Sequence, residues 1–450
     1  MKKLLSVLLA SAITISAVGG LAACKKSAKE DEHEIIVWAP DAAKATYEKL
    51  ADDFLKSDPT KYGDYTVTVI SKDEGDVESS LTSDAAMGAD VFFFPGGHVN
   101  DMLKKKHLLK ATAAQTTAIK ANNAANTVTP ILVNDEAYAF PATSDNGYFL
   151  WYRKDVLSAT DVETLDGIVS VAKNKNKNIM FEYGNGWYAP SFWFGMGCKL
   201  DYDTDGNYTT TIDNADGKKA MQAWYNYLNP TDNKMKNTQQ LIVKANNDQN
   251  GEYATNLANG TACAAVIGTW IADDLKLKLA KAEGVVASSV TSLSSLDADT
   301  KDAVDDLFEE KIGAAKLPTF TCDGQQVQMG SFSAGKYCGV NNLRAYDAKK
   351  AVALELAAYF TGETGQSLRY QNTSAIPSNK NLQESDAVAS DFIVQAFLAQ
   401  NAVGGYLEQN HKTEMWDLMG GIGNSIVAGT TTADGLDAAL TSVANALRAD

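Results

Sequence analysis

Residues 134–153, NDEAYAFPATSDNGYFLWYR, constrain this chain more than any other stretch. Ala137, Tyr138, Ala139 and Phe140 alternate toward Pro141, a polar turn covers 143–147, and 148–152 form a second apolar run. The pattern predicts strand, crossing, strand. It places here a waist at which the chain passes from one lobe into another. Asp145 lies in the middle of the turn between aromatic strands. It is either a solvated surface carboxylate or one presented where two lobes close on something.

The chain is long enough to fill two lobes. Its 450 residues, 45 % hydrophobic, supply one large core or two ordinary ones, and two is the expectation. A formal charge of −16 with only four arginines argues against a nucleic-acid or phosphate-rich partner and favours a neutral ligand.

The N-terminus indicates the compartment. Lys2 and Lys3 precede an uncharged run, 4–23, that turns rich in small residues and ends Leu21-Ala22-Ala23-Cys24. About 20 apolar residues can also span a bilayer, but the small residues and terminal cysteine resemble a lipoprotein signal peptide. That resemblance implies cleavage after residue 23 and a lipid on Cys24. Residues 24–33 then form a polar tether on the outer face of the membrane. The remaining cysteines, Cys198, Cys263, Cys322 and Cys338, allow three pairings in an oxidising compartment. Cys322 and Cys338 flank a strand-like stretch that a bridge between them would staple. No CxxC or Cys/His cluster points to a metal.

From Ile35 the pattern alternates. An apolar run at 35–38 precedes Asp41 at an N-cap position, and Tyr47, Leu50, Phe54 and Leu55 follow at helical spacing. Residues 65–70 read as a strand, 77–86 as a helix and 91–94 as a buried strand. This βαβα order predicts a mostly parallel sheet with helices on both faces. Ligands of such sheets bind beyond the carboxyl ends of the strands, which puts 38–41 and 94–98 at the rim. After the waist come a strand at 179–183, an aromatic-rich segment at 185–194, a helix at 218–228, and a buried run at 262–267 ending Gly268-Thr269-Trp270. Residues 285–306 read as an insertion or surface helix, 326–340 as strand and turn, and the remainder as largely helical.

Several motifs occur in one order: the lipobox, Ile36-Val37-Trp38 before a helix, DVFFFP at 90–95, Ala139-Phe140-Pro141 with Asp145, GTACAAVIGTW at 260–270, KLPTF at 316–320, and Ser333-Ala334-Gly335. In that order the chain resembles the family 1 extracellular solute-binding proteins, near the maltose/maltodextrin-binding branch. The resemblance implies an α/β, two-lobed periplasmic-binding-protein-like fold. Each lobe is then a mixed, mostly parallel sheet flanked by helices, and hinge strands join them. Lobe 1 is expected at 34–143 and 311–341, and lobe 2 at 147–305 and 345–450. The implied function is capture of an oligosaccharide, maltodextrin-like, between the lobes and delivery to the membrane permease subunits of an ABC importer. The implied protein is a lipid-anchored monomer with no cofactor and no catalytic residues.

Residue by residue, the resemblance places Asp145 at the carboxylate that grips sugar hydroxyls, Phe94 at an aromatic ending the third strand, and Trp270 at a platform after the buried strand. Asn185-Gly186-Trp187-Tyr188 matches a segment supplying an acid and a platform, with Asn185 in place of the acid. Met415-Trp416 matches another platform. Gly97, His98 and Gly420 stand where relatives carry charged hydrogen-bonding groups. The chemistry supports this set independently, because flat aromatics stack on the apolar faces of sugar rings while Asp and Asn take the hydroxyl edges. Trp187, Trp270 and Trp416 lie beside glycine or at segment ends, whereas Trp224 lies on an apolar helix face and reads as core. Asp41 joins the ligand-binding candidates as a rim residue.

Residues 201–207, DYDTDGN, resemble the start of a calcium loop, but Ile212 stands where a bidentate Glu belongs, which favours a tight Asp-Gly hairpin turn. No nucleophile elbow, HExxH, Walker loop or GxGxxG appears. The rival readings are a cationic ligand such as a polyamine, since aromatics plus a carboxylate also make a cation site, a secreted glycosidase, and a passive adhesin.

Overall fold

The computed structural model describes residues 32–85, 88–203, 207–229, 241–245, 249–344, 346–406, 411–412 and 414–449. The expected signal peptide, Cys24 and most of the expected tether lie outside these residues, as does the tip of the 201–207 turn.

The first lobe is built on Glu34–Ala39, which pairs in parallel with Thr66–Ser71 on one side and Val91–Pro95 on the other. Its strict alternation turns Ile35, Val37 and Ala39 inward. Tyr47, Leu50, Ala51 and Phe54 recur at helical spacing along Lys44–Ser57 and pack onto that face. Ser331–Val340 completes the sheet antiparallel to Val91–Pro95, and Phe140–Gly147 pairs with it in turn.

The second lobe has a five-stranded sheet in the order Ile242–Val243, Asn178–Met180, Ala262–Ile267, Phe149–Arg153, Ile312–Ala315. All six residues of Ala262–Ile267 are buried, as expected of a central strand covered on both faces. Ala215–Leu228 packs on one face with Trp224 fully buried, the core position its spacing indicates. Gln249–Ala258 and Ala272–Ala282 lie on the other face.

The chain passes between the lobes more than once, and the expected lobe limits shift accordingly. Ile312–Ala315 pairs with Phe149–Arg153 in the second sheet, and the hairpin after it buries Phe320 and Cys322 in the second core. The return to the first lobe is made inside Ser331–Val340, whose Phe332 belongs to the second core and whose Tyr337, Cys338 and Val340 belong to the first. Asp347–Phe360, expected in lobe 2, buries Val352, Leu356 and Phe360 in the first core. Val388 and Ile393 are back in the second lobe. Periodicity reveals that a helix has an apolar face but not which of two cores the face meets.

Two further expectations are corrected. The polar turn at 143–147 is extended: Phe140–Gly147 is a single strand with every residue buried. Its polar side chains lie between lobes rather than in solvent, and Ser144 N donates to Ile376 O at 2.8 Å. Cys322 and Cys338 form no staple, because they lie in different cores, and all four described cysteines are free and buried.

Candidate functional site

A cleft of about 810 Å3 opens between the lobes over the crossing strands. One wall comes from the first lobe (Asp41, Lys72, Asp73, Glu74), the other from the second (Asn185, Trp187, Tyr188, Asn250, Trp270, Asp273), and Asp145, Lys336 and Arg369 lie at its base.

Asp145 is 3 % exposed and its two oxygens differ. Oδ2 accepts from Thr269 Oγ1 at 3.2 Å and from Ile376 N at 3.1 Å, while Oδ1 has no protein partner. One oxygen is thus fixed by the scaffold, and the other is a buried acceptor with no protein partner.

Trp187 rides on a loop that follows Asn178–Met180. Asn185 Oδ1 accepts from Trp187 N at 2.9 Å, so the residue standing in for the acid braces this loop. The indole stacks on Phe332, centroids 4.7 Å apart with planes 17° from parallel, and lines the cleft. Gly186 permits the arrangement, because a Cβ there would fall 2.3 Å from Trp416 O. Trp270 donates from Nε1 to Asn250 Oδ1 at 3.0 Å, and its ring covers Gly268 so closely that a Cβ would meet it at 2.0 Å. Tyr188 also lines the cleft, though 3 % exposed, and burial pushes its phenol well above the ordinary range.

The remaining candidates divide. Asp41 lines the cleft, but its carboxylate accepts from Ser71 Oγ, and the helix Lys44–Ser57 starts after an intervening 3-10 turn, so it is not the N-cap expected. Trp416 is not among the lining residues and lies behind Trp187 at 6.0 Å. Phe94 is fully buried in the first core against Phe92 and Tyr337. A strand end in a sheet covered on both faces directs such a ring into packing rather than the cleft.

Sequence reasoning missed the charged base. Glu74 Oε2 lies 3.0 Å from Lys336 Nζ, and Glu74 Oε1 lies 3.3 Å from Arg369 Nη2. Arg369 also donates from Nη1 to Tyr47 O–H at 2.9 Å. Burial penalises the Glu74 charge, but the two cations outweigh it and hold the carboxyl below its ordinary value. Burial likewise opposes the Lys336 charge, and Glu74 and Asp145 more than restore it. Across the cleft, Asp273 is desolvated and its carboxyl is raised. These residues come from four distant segments, and the one local signal was the rarity of arginine.

The family described as bacterial extracellular solute-binding protein matches residues 49–396. The chain belongs to that family. No curated protein matches the sequence of this solute-binding protein. Among solved structures it is similar to the maltodextrin-binding protein MalE1 of L. casei BL23 (TM-score 0.72, 20 % identity, 93 % of this chain and 99 % of that one). It is also similar to the GacH receptor of Streptomyces glaucescens, solved unliganded and with acarbose (0.70, 17 %, 92 % and 98 %), and to the maltotriose-binding protein of Thermus thermophilus (0.68, 15 %, 92 % and 99 %). At these identities the likeness establishes the two-lobed fold. No described helix of the solute-binding protein is long and apolar enough to cross a membrane, and no group of His, Cys, Asp or Glu among the described residues is placed to hold a metal. Leu200–Tyr202 and Tyr208–Thr210 pair antiparallel around the 201–207 turn, as a hairpin does.

Proposed function

We propose that this solute-binding protein captures a neutral, maltodextrin-like oligosaccharide between its lobes and hands it to the permease subunits of an ABC importer, while a lipid on Cys24 holds it to the outer face of the membrane. The observation that carries the ligand class is Asp145: a buried carboxylate with one unpartnered oxygen, in a cleft that also presents two indoles. Lys336 and Arg369 already sit within electrostatic reach of that carboxylate. What Oδ1 lacks is therefore a hydrogen-bond donor rather than a counter-charge, and a sugar hydroxyl supplies one without adding charge. This favours a sugar over the polyamine alternative, although Asp41, Asp73 and Asp273 make the outer cleft acidic.

The dimensions agree with the reading. The cleft volume falls in the roughly 300–1,000 Å3 range of small-molecule sites. Two stacked rings at about 1.5–3 kcal/mol each, with one hydrogen bond to a charged group at a similar value, approach the roughly −8.2 kcal/mol of a micromolar complex. The related structures named above with maltotriose and acarbose point to the same class of ligand.

Isothermal titration with maltotriose, a galacto-oligosaccharide and spermidine at low and high salt tests the proposal. Saturable, nearly salt-independent binding of an oligosaccharide is expected. Binding of spermidine alone, weakening steeply with salt, overturns it. Mass spectrometry of the protein from cells tests the anchor, and an unmodified Cys24 refutes it.

A further inference from the structure

The charged group at the base of the cleft goes unused in the reading above if it merely neutralises itself. Lys336 projects from a strand whose pairing with Phe140–Gly147 slips on both sides of it, between Ala334 and Lys336 and again between Lys336 and Tyr337. Such irregularities re-aim a side chain out of the regular ladder. Here they leave Lys336 Nζ 3.0 Å from Glu74 in the first lobe and 5.9 Å from the ring centroid of Trp270 in the second. Arg369, 4 % exposed, spends two of its nitrogens on Tyr47 and Glu74, and its Nε–H is buried without a partner. Arg369 and Asp145 line the same cleft, and each keeps one buried polar atom unsatisfied, a donor on one and an acceptor on the other.

An unsatisfied buried donor and an unsatisfied buried acceptor, close enough to feel each other's charge, match a ligand that offers both roles on neighbouring atoms. A carboxylate or phosphate satisfies the cations but repels Asp145 and Glu74. An ammonium satisfies Asp145 but faces Lys336 and Arg369. Adjacent hydroxyls satisfy both, since one donates while its neighbour accepts, and they add no charge to a cluster already balanced between two cations and two anions.

We propose that Asp145, Lys336 and Arg369 form a bay specific for a vicinal diol of the bound sugar, with one hydroxyl donating to Asp145 Oδ1 and the next accepting from the Lys336 ammonium and Arg369 Nε. Glu74 is a positioning residue that holds both cations in place. The inference rests on the oligosaccharide reading and adds the chemical group recognised and the two cationic residues that recognise it.

The test is titration of wild type, Lys336→Met, and the double variant Glu74→Gln with Lys336→Met, each checked by its melting curve. The double variant covers the chance that the single change misfolds by upsetting the ion pair. The ligands are maltotriose, a series of its singly deoxygenated derivatives, and a uronic-acid trisaccharide. Wild type is expected to lose on the order of 10- to 100-fold in affinity for the derivative lacking the hydroxyl that faces Lys336, as for a hydrogen bond to a charged group. Lys336→Met should lose a similar factor for maltotriose and little more for that derivative, because the two changes remove one contact. Independent, multiplying losses overturn the bay, as does a variant that melts normally and binds maltotriose like wild type. Preference of wild type for the uronic-acid ligand overturns it in favour of an anion site. Failure of wild type to bind any of the three, with the galacto-oligosaccharide included as a further control and also unbound, refutes the oligosaccharide reading itself and the bay with it. Binding of the galacto-oligosaccharide alone overturns the bay as drawn for maltotriose and leaves the oligosaccharide reading standing.

Discussion

Replacing Asp145 by Asn separates the two jobs of this side chain. The amide oxygen takes the place of Oδ2 and continues to accept from Thr269 Oγ1 and Ile376 N, the contacts that fix the crossing strand. The amide nitrogen then occupies the position of Oδ1, which in wild type has no protein partner. A buried acceptor becomes a donor, and a ligand hydroxyl that donated there would meet another donor. The lost interaction is a hydrogen bond to a charged group, worth about 1.5–3 kcal/mol, or roughly a 10- to 150-fold rise in Kd. Stability should change far less, because the structural oxygen is retained. Isothermal titration with maltotriose, paired with thermal melting without ligand, measures the two effects separately. An affinity within twofold of wild type refutes the assignment of Oδ1 to the ligand. A melting temperature that falls as steeply as the affinity means that the carboxylate is structural.

The two cleft tryptophans should respond differently. Trp187→Ala removes a ring stacked on Phe332 and should lower both ligand affinity and melting temperature, whereas Trp270→Ala should cost affinity with a smaller thermal shift, and equal thermal shifts contradict this. Gly420→Ala is expected to weaken binding at a distance, because the new Cβ would lie 2.4 Å from Gly184 O and 3.1 Å from Asn185 Cα and would displace the loop carrying Trp187. Overpacking of this kind costs about 1–3 kcal/mol, and unchanged melting and affinity refute the prediction. His411 supplies a pH dependence. Burial pushes its imidazole from 6.5 down to about 3, so between those values the unfolded chain binds the extra proton. Its contribution to stability is complete above pH 6.5 and is lost as the pH falls toward 3. The melting temperature of His411→Gln should therefore decline less between pH 6.5 and 4 than that of wild type, and parallel declines refute this.

What the sequence disclosed was whatever is encoded locally. The apolar run at 35–38 and the helical spacing from Tyr47 to Phe54 each lie within one element and depend on burial, whichever core supplies it. The waist was legible because Pro141 and the polar residues after it interrupt two apolar runs. Those polar residues were nevertheless misread as a turn, since a strand buried between two lobes carries the same polar signature as one in water. Trp187 follows Gly186 directly and Trp270 lies two positions after Gly268, and both line the cleft. Trp416, flanked by Met415 and Asp417, has no such neighbour; Gly186 packs against its backbone, and it is not among the residues that line the cleft. Glu74, Lys336 and Arg369 could not be assembled at all. Each is unremarkable in its own segment, and their meeting depends on how distant strands and helices stack.

The way the strands are interleaved also bears on how the molecule comes to be folded. Asn341 donates to the carbonyl of Ala89, 252 positions earlier, and Arg344 reaches Asp90 across 254. The first lobe is thus begun by the amino-terminal third of the chain and closed only by segments made long afterwards. Closing so long a loop is entropically slow, and pairing across such separations lowers folding rates. An emerging chain therefore has an unfinished first sheet, with the edge of Val91–Pro95 open, until Ser331–Val340 arrives. During that interval the unpaired edge is where a strand of another chain would pair most readily, so the order of assembly leaves this sheet more open to aggregation than a contiguous domain would be.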